Sequence, residues 1–266
     1  MNFRTRRRNA RVLFACVVLL ALAVAAIRQG SVTPASRTDP APARLVNVRC
    51  ADVVVLGLRG SGQSLIKYSG VGTEVLKSVQ DMAARLHAGS DTTVRLEAVK
   101  YHAETAATLG EYQAGVADGR RRLGAQYERL SRDCQDSKVA LVGFSQGAQV
   151  VHEFSHNLNA GQARSLVLVG MIADPRRNPE DTIAAWSYAP KPAPAPGRLG
   201  AGPRFSPDTR QKAITLCAAT DEVCNRPDAG PPNAMSTTHK KFYEKASTVR
   251  STGRQLTAIL HSNGVG

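Results

Sequence analysis

Gly143-Phe144-Ser145-Gln146-Gly147 matches G-x-S-x-G, a pattern that offers a serine hydroxyl as a nucleophile. Val139-Ala140-Leu141-Val142 ahead of it reads as a short buried strand. Behind it Ala148, Val150, Val151 and Phe154 recur at helical spacing. The pattern needs a strand, a sharp turn and a helix in that order, so that Ser145 stands at the tip of the turn at the positive end of a helix.

A serine hydroxyl becomes a useful nucleophile when a base takes its proton, and the base is held in one tautomer by a carboxylate. In α/β-hydrolases the chain order is serine, acid, histidine, which restricts the choice to residues after Ser145. His152 and His156 lie on the helix leaving the nucleophile and point away from the turn, and His261 ends the last helix. His239, in the polar loop Ser236-Thr237-Thr238-His239 just before the last helix, is the expected base. Asp174 follows the fourth strand and precedes Pro175, which reads as turn chemistry. Asp221 follows the fifth strand, inside Cys217-Ala218-Ala219-Thr220-Asp221-Glu222-Val223-Cys224. A disulfide closing that short loop would hold the carboxylate still, so Asp221 is the expected acid. The oxyanion of the tetrahedral intermediate needs fixed donors. Gln146, next after the nucleophile, supplies one backbone N–H, and Ser61, in the loop after the first strand, supplies a backbone and a hydroxyl donor.

His152-Glu153-Phe154-Ser155-His156 is a literal H-E-x-x-H, which on a helix sets two histidines on one face for zinc with the glutamate as base. A third ligand is needed. Glu180 is the nearest downstream candidate, but a strand intervenes and Pro175 and Pro179 surround it. The motif also lies inside the helix that the serine turn requires. No metal and no cofactor are expected. A zinc metalloprotease and a non-catalytic envelope-binding protein on a hydrolase scaffold are the alternative readings.

The elements that must position these residues alternate along the chain. Strands are expected over Asp52 to Leu58, Thr92 to Tyr101, Val139 to Val142, Ser165 to Ile172 and Lys212 to Cys217. Helices are expected over Thr73 to His87, Gly110 to Ser131, the segment after Ser145, and Phe242 to His261. Val53-Val54-Val55-Leu56 shows no polar alternation, as strands buried on both faces do not. The pattern predicts an α/β chain: a three-layer α/β/α hydrolase fold around a central, mainly parallel, five-stranded sheet. Tyr188 to Pro207 is dense in proline and glycine and too long for an ordinary connection, so a surface excursion is expected there.

The chain of 266 residues carries a formal charge of +14. Residues 1–30 hold six arginines and no acid, which leaves 29 basic against 21 acidic residues in the rest. No zinc-finger spacing, RNA-binding aromatic run or basic block beyond the N-terminus points to nucleic acid. Arg6-Arg7-Arg8 followed by the apolar run Val12 to Ile27 predicts a signal peptide or an N-terminal membrane anchor over residues 1–30. Residues 31–44, rich in Pro, Ala, Ser and Thr, read as a linker, and 45–266 as the folded domain. Either form of the leader implies export, as a secreted protein or one held at the outer face of the membrane or cell envelope. Cys50, Cys134, Cys217 and Cys224 outside the leader are an even number with no C-x-x-C pair, for which two disulfides are the simplest account in an exported chain.

These pieces resemble the cutinase family of α/β-hydrolases over roughly residues 48–262. The likeness rests on Cys50-Ala51-Asp52-Val53, Arg59-Gly60-Ser61, Gly143-Phe144-Ser145-Gln146-Gly147-Ala148, Asp221-Glu222-Val223-Cys224 and His239. It implies Ser145, Asp221 and His239 as a catalytic triad, Ser61 and Gln146 as the oxyanion hole, and disulfides Cys50–Cys134 and Cys217–Cys224. It also implies hydrolysis of carboxylic esters, with lipid or polyester substrates, by a monomer whose site is open to solvent. The leader, the linker and the Pro/Gly excursion look like cutinase-like esterases of actinobacteria with mycolate envelopes, which makes envelope or host lipids as plausible a substrate as cutin.

Overall fold

The computed structural model describes residues 45–189, 194–226 and 236–266. The expected leader, with its run Val12 to Ile27, and the linker lie outside the described residues. Among the described residues no helix is long and apolar enough to cross a membrane.

Six strands form one sheet: β1 (Val53–Leu58), β2 (Val94–Ala98), β3 (Lys138–Phe144), β4 (Leu166–Ile172), β5 (Ala184–Tyr188) and β6 (Ala213–Ala218). Their order is β2-β1-β3-β4-β6-β5, and every neighbouring pair is parallel. The helices are α1 (Thr73–Ser90), α2 (Leu109–Asp133), α3 (Gln146–Ser155), α4 (Pro207–Arg210), α5 (Thr237–Lys241) and α6 (Ala246–Ser262). Successive side chains of a strand point to opposite faces, so a strand buried on both sides feeds two cores. In β1, Val53 and Val55 join Val75, Val79, Met82, Leu256 and Leu260 beneath α1 and α6. Val54, Leu56 and Leu58 join Val116, Leu123, Val150 and Val151 beneath α2 and α3. The result is the expected three-layer α/β/α arrangement.

Two expectations need correction. The sheet has six strands, not five: β5, Ala-Ala-Trp-Ser-Tyr, lies at the sheet edge beyond β6, its first two residues exposed. It holds the strand-favouring Trp186 and Tyr188 but is too short, and too close to the proline-rich run, for a period to mark it. The expected closing helix, Phe242 to His261, is α6 and begins only at Ala246, after Lys245, whose φ of −63° and ψ of 137° are extended, while the polar loop expected before it around His239 is the short helix α5. The Pro/Gly excursion is packed rather than loose over its described part. Leu199 and Gly202 donate backbone N–H groups to Pro175 and Arg176, Arg198 N–H donates to Val223 O, and the buried Arg177 guanidinium donates to Ala195 O and Asn225 Oδ1.

Both disulfides are present, Cys50–Cys134 across 84 residues and Cys217–Cys224 across 7. On the chain-entropy view the long loop is worth about 4–5 kcal/mol and the short one less.

Candidate active site

Strand order reverses between β1 and β3, and α1 and α3 leave these strands toward opposite faces of the sheet. That divergence opens a crevice at the carboxyl ends of the strands, where ligands of open α/β sheets bind. Ser61 follows β1 and Ser145 follows β3, so both lie at its rim. Ser145 has φ 54° and ψ −116°, a left-handed backbone that a residue with a β-carbon adopts only under constraint. Its N–H donates to Ile172 O of β4 at 2.9 Å. Gly147 lets α3 close onto β1, since a β-carbon there would run into the carbonyl oxygens of Leu58 and Arg59. The turn demanded by G-x-S-x-G is therefore built from neighbours on two strands.

His239 sits in α5, whose N-cap Ser236 accepts the His239 N–H at 3.3 Å. Its Nε2 lies 3.0 Å from Ser145 Oγ, and its Nδ1 lies 3.1 and 3.0 Å from Asp221 Oδ1 and Oδ2. With both carboxylate oxygens facing Nδ1, that nitrogen carries the proton and Nε2 is left to accept one from the serine. The imidazole stacks on Phe144, ring centres 5.0 Å apart. Asp221 is fully buried, and its Oδ1 also accepts the Val223 N–H at 2.9 Å. Its Oδ2 accepts the Tyr243 hydroxyl at 2.7 Å. The same hydroxyl accepts the Ala218 N–H at 3.0 Å, tying the acid to the end of β6. Burial, together with the charge of Asp221, pushes the Tyr243 phenol well above its ordinary pKa, so it stays a donor. Such a line can draw the proton from Ser145 Oγ and hold the resulting imidazolium against a carboxylate.

Gln146 opens α3, where the first backbone N–H of a helix has no intrahelical acceptor. Its buried side chain donates to Tyr112 O at 3.0 Å, fastening the turn to α2. The Ser61 hydroxyl donates to Glu104 O at 2.9 Å. Of the two Ser61 donors expected from sequence, the hydroxyl is thus engaged by the protein, and the backbone N–H is the one left for a ligand.

The cutinase family model matches residues 49–251. The chain belongs to the cutinase family. It is 24% identical over 199 residues to carboxylesterase Culp1 of Mycobacterium tuberculosis, covering 75% of this chain and 77% of the relative. It is 27% identical over 129 residues to cutinase CUT1 of Coprinopsis cinerea, covering 48% and 60%. Among solved structures an acetylxylan esterase superposes with a TM-score of 0.62 at 20% identity, over 82% of this chain and all of the other. A cutinase-like protein from Cryptococcus sp. superposes with a TM-score of 0.59 at 15% identity, over 82% and 98%.

In this cutinase-family chain the H-E-x-x-H histidines turn to different partners. His152 is buried, with Nδ1 2.6 Å from Asp174 Oδ2 and Nε2 2.8 Å from Pro203 O. His156 Nδ1 is 3.1 Å from Glu153 O, and Glu153 accepts from Gln149 at 2.7 Å. Asp174, the other acid weighed from sequence, serves His152 and the Arg176 N–H rather than His239. Tyr243 was beyond sequence reasoning. Its one mark is its place four residues after His239, which a buried aromatic of the closing segment would share.

Proposed function

We propose that this protein is an exported serine carboxylesterase that cleaves ester bonds of lipids or polyesters through an acyl-enzyme. Ser145 Oγ attacks the ester carbonyl carbon while His239 Nε2 takes its proton, forming a tetrahedral oxyanion. The backbone N–H groups of Gln146 and Ser61 receive that oxyanion. His239 returns the proton to the leaving alcohol as the C–O bond breaks, leaving an acyl group on Ser145. A water activated by the same imidazole then releases the acid. Asp221 holds the imidazole in the working tautomer and stabilises its charged form.

The observation that carries this reading is the 3.0 Å approach of His239 Nε2 to Ser145 Oγ with Asp221 directly behind. The names carboxylesterase and cutinase among the relatives support the ester bond. The loop after Ser61 supports an apolar substrate. Ile66 is 93% exposed, and Leu65 and Tyr68 beside it are exposed, as is Leu109 at the start of α2. Export is supported by the two disulfides, which persist in oxidising compartments. The test is turnover of p-nitrophenyl esters from short to long acyl chains by wild type and Ser145→Ala. The substitution should lower kcat by roughly 10⁴-fold or more. Turnover that survives it sinks the proposal.

A further inference from the structure

Glu74 lies in the first turn of α1, where a helix dipole favours an acid, yet it is only 2% exposed. Among the described residues no ion pair to it is found, and burial raises its pKa even though a hydrogen bond from Gln63 works the other way. A buried carboxylate without a cation is costly, and a first-turn acid facing water would serve the dipole as well. Its hydrogen bonds supply a reason for its place. Glu74 Oε2 accepts from Gln63 Nε2 at 2.7 Å, and Gln63 Oε1 accepts the Gly60 N–H at 2.7 Å. The amide of Gln63 can make both bonds in one orientation only, because Gly60 N–H donates and the carboxylate oxygen accepts. Arg59 Nε donates to Gln63 O at 2.9 Å, and Gly62 N–H donates to Ala103 O at 2.6 Å. Ser61 thus stands between two pinned neighbours. A β-carbon on Gly60 would lie 3.3 Å from Ser145 Cβ, so this loop faces the nucleophile at contact distance.

We propose that Gln63 and Glu74 are positioning residues for the oxyanion loop: Glu74 orients the Gln63 amide, and that amide holds the Gly60–Ser61 peptide opposite Ser145. The inference rests on the reading of the Ser61 N–H as an oxyanion donor. A displaced donor weakens the transition state more than the bound substrate, so the loss falls on kcat.

The experiment is steady-state kinetics on a soluble short-chain p-nitrophenyl ester, with melting curves and Ser145→Ala as control. Gln63→Ala and Glu74→Leu should each lower kcat by about tenfold or more while KM stays within about twofold. The double variant should be no worse than the poorer single, since both break one chain of bonds. Glu74→Gln keeps an acceptor for Gln63 Nε2 and should keep near wild-type kcat. Should Glu74→Leu fail to fold, Gln63→Ala and Glu74→Gln decide alone. Wild-type kcat in Gln63→Ala, or a Glu74→Gln enzyme with a tenfold lower kcat, overturns the inference while an inactive Ser145→Ala leaves the serine esterase standing. An active Ser145→Ala overturns both.

Discussion

Asp221 accepts hydrogen bonds from three directions, and Tyr243 supplies the one that reaches it from outside its own loop and from no proton-transfer partner. Replacing Tyr243 by Phe keeps the ring packed against Phe144 and Tyr188 but removes the hydroxyl. Asp221 Oδ2 then loses one of its two donors, keeping only His239 Nδ1, and the Ala218 N–H lacks its acceptor, both in a buried place. Tyr243→Phe should cost about 1–3 kcal/mol of stability by denaturant unfolding. It should also lower kcat, because the carboxylate behind His239 is less firmly held.

At the scale of elements, the site depends on how closely α3 approaches β1. Gly147 is the contact, and its β-carbon would strike two backbone oxygens that have no rotamer to yield. Gly147→Ala should therefore push the helix off the strand and carry Ser145 with it. Overpacking of this kind costs about 1–3 kcal/mol, and the same substitution should reduce turnover more than it raises KM. A melting curve and a kcat measurement on one preparation check both. An alanine enzyme as stable and as fast as wild type would show that the helix does not set the nucleophile.

At the scale of the whole molecule, His152 joins three parts of the chain: α3, the turn after β4 through Asp174, and the Pro/Gly excursion through Pro203. Burial works to lower its pKa, but Asp174 and the Pro203 carbonyl outweigh that and raise it, with Asp181 adding in the same direction. His156 is the neighbouring imidazole, and its pKa is lowered by its own burial, by the charge of His152 and by Arg120. Both His152 nitrogens face acceptors, so the imidazolium is the form the fold prefers. A pKa raised on folding contributes stability that is complete below the ordinary histidine value and is lost as pH rises through the raised one. The melting temperature should accordingly fall on the alkaline side of that window. His152→Leu should remove this part of the pH dependence and leave Asp174 buried without its cation, at a cost of about 3–5 kcal/mol. Melting curves from mildly acid to alkaline pH on both proteins test it.

Most of the residues that meet at the candidate site are legible in the sequence. A strand, Gly-x-Ser-x-Gly and a helix form a local device whose parts are adjacent in sequence, so Ser145 and Gln146 could be read directly. Asp221 and His239 followed from chain order and from the cysteines bracketing the acid. The alternation of apolar runs at strand and helix spacing was enough for the layers, because burial on both faces leaves its mark on every residue of β1. What needed the tertiary structure is of another kind. The edge strand β5, too short to show a period of its own, is recognised by its pairing with β6. The first His of H-E-x-x-H found Asp174 and a proline carbonyl, the Ser61 hydroxyl found Glu104, and Asp221 found Tyr243, each across a distance in sequence that no local pattern spans. Sequence periodicity records which face of an element is covered; which polar atom meets which is decided by the directions of the side chains once the layers have closed.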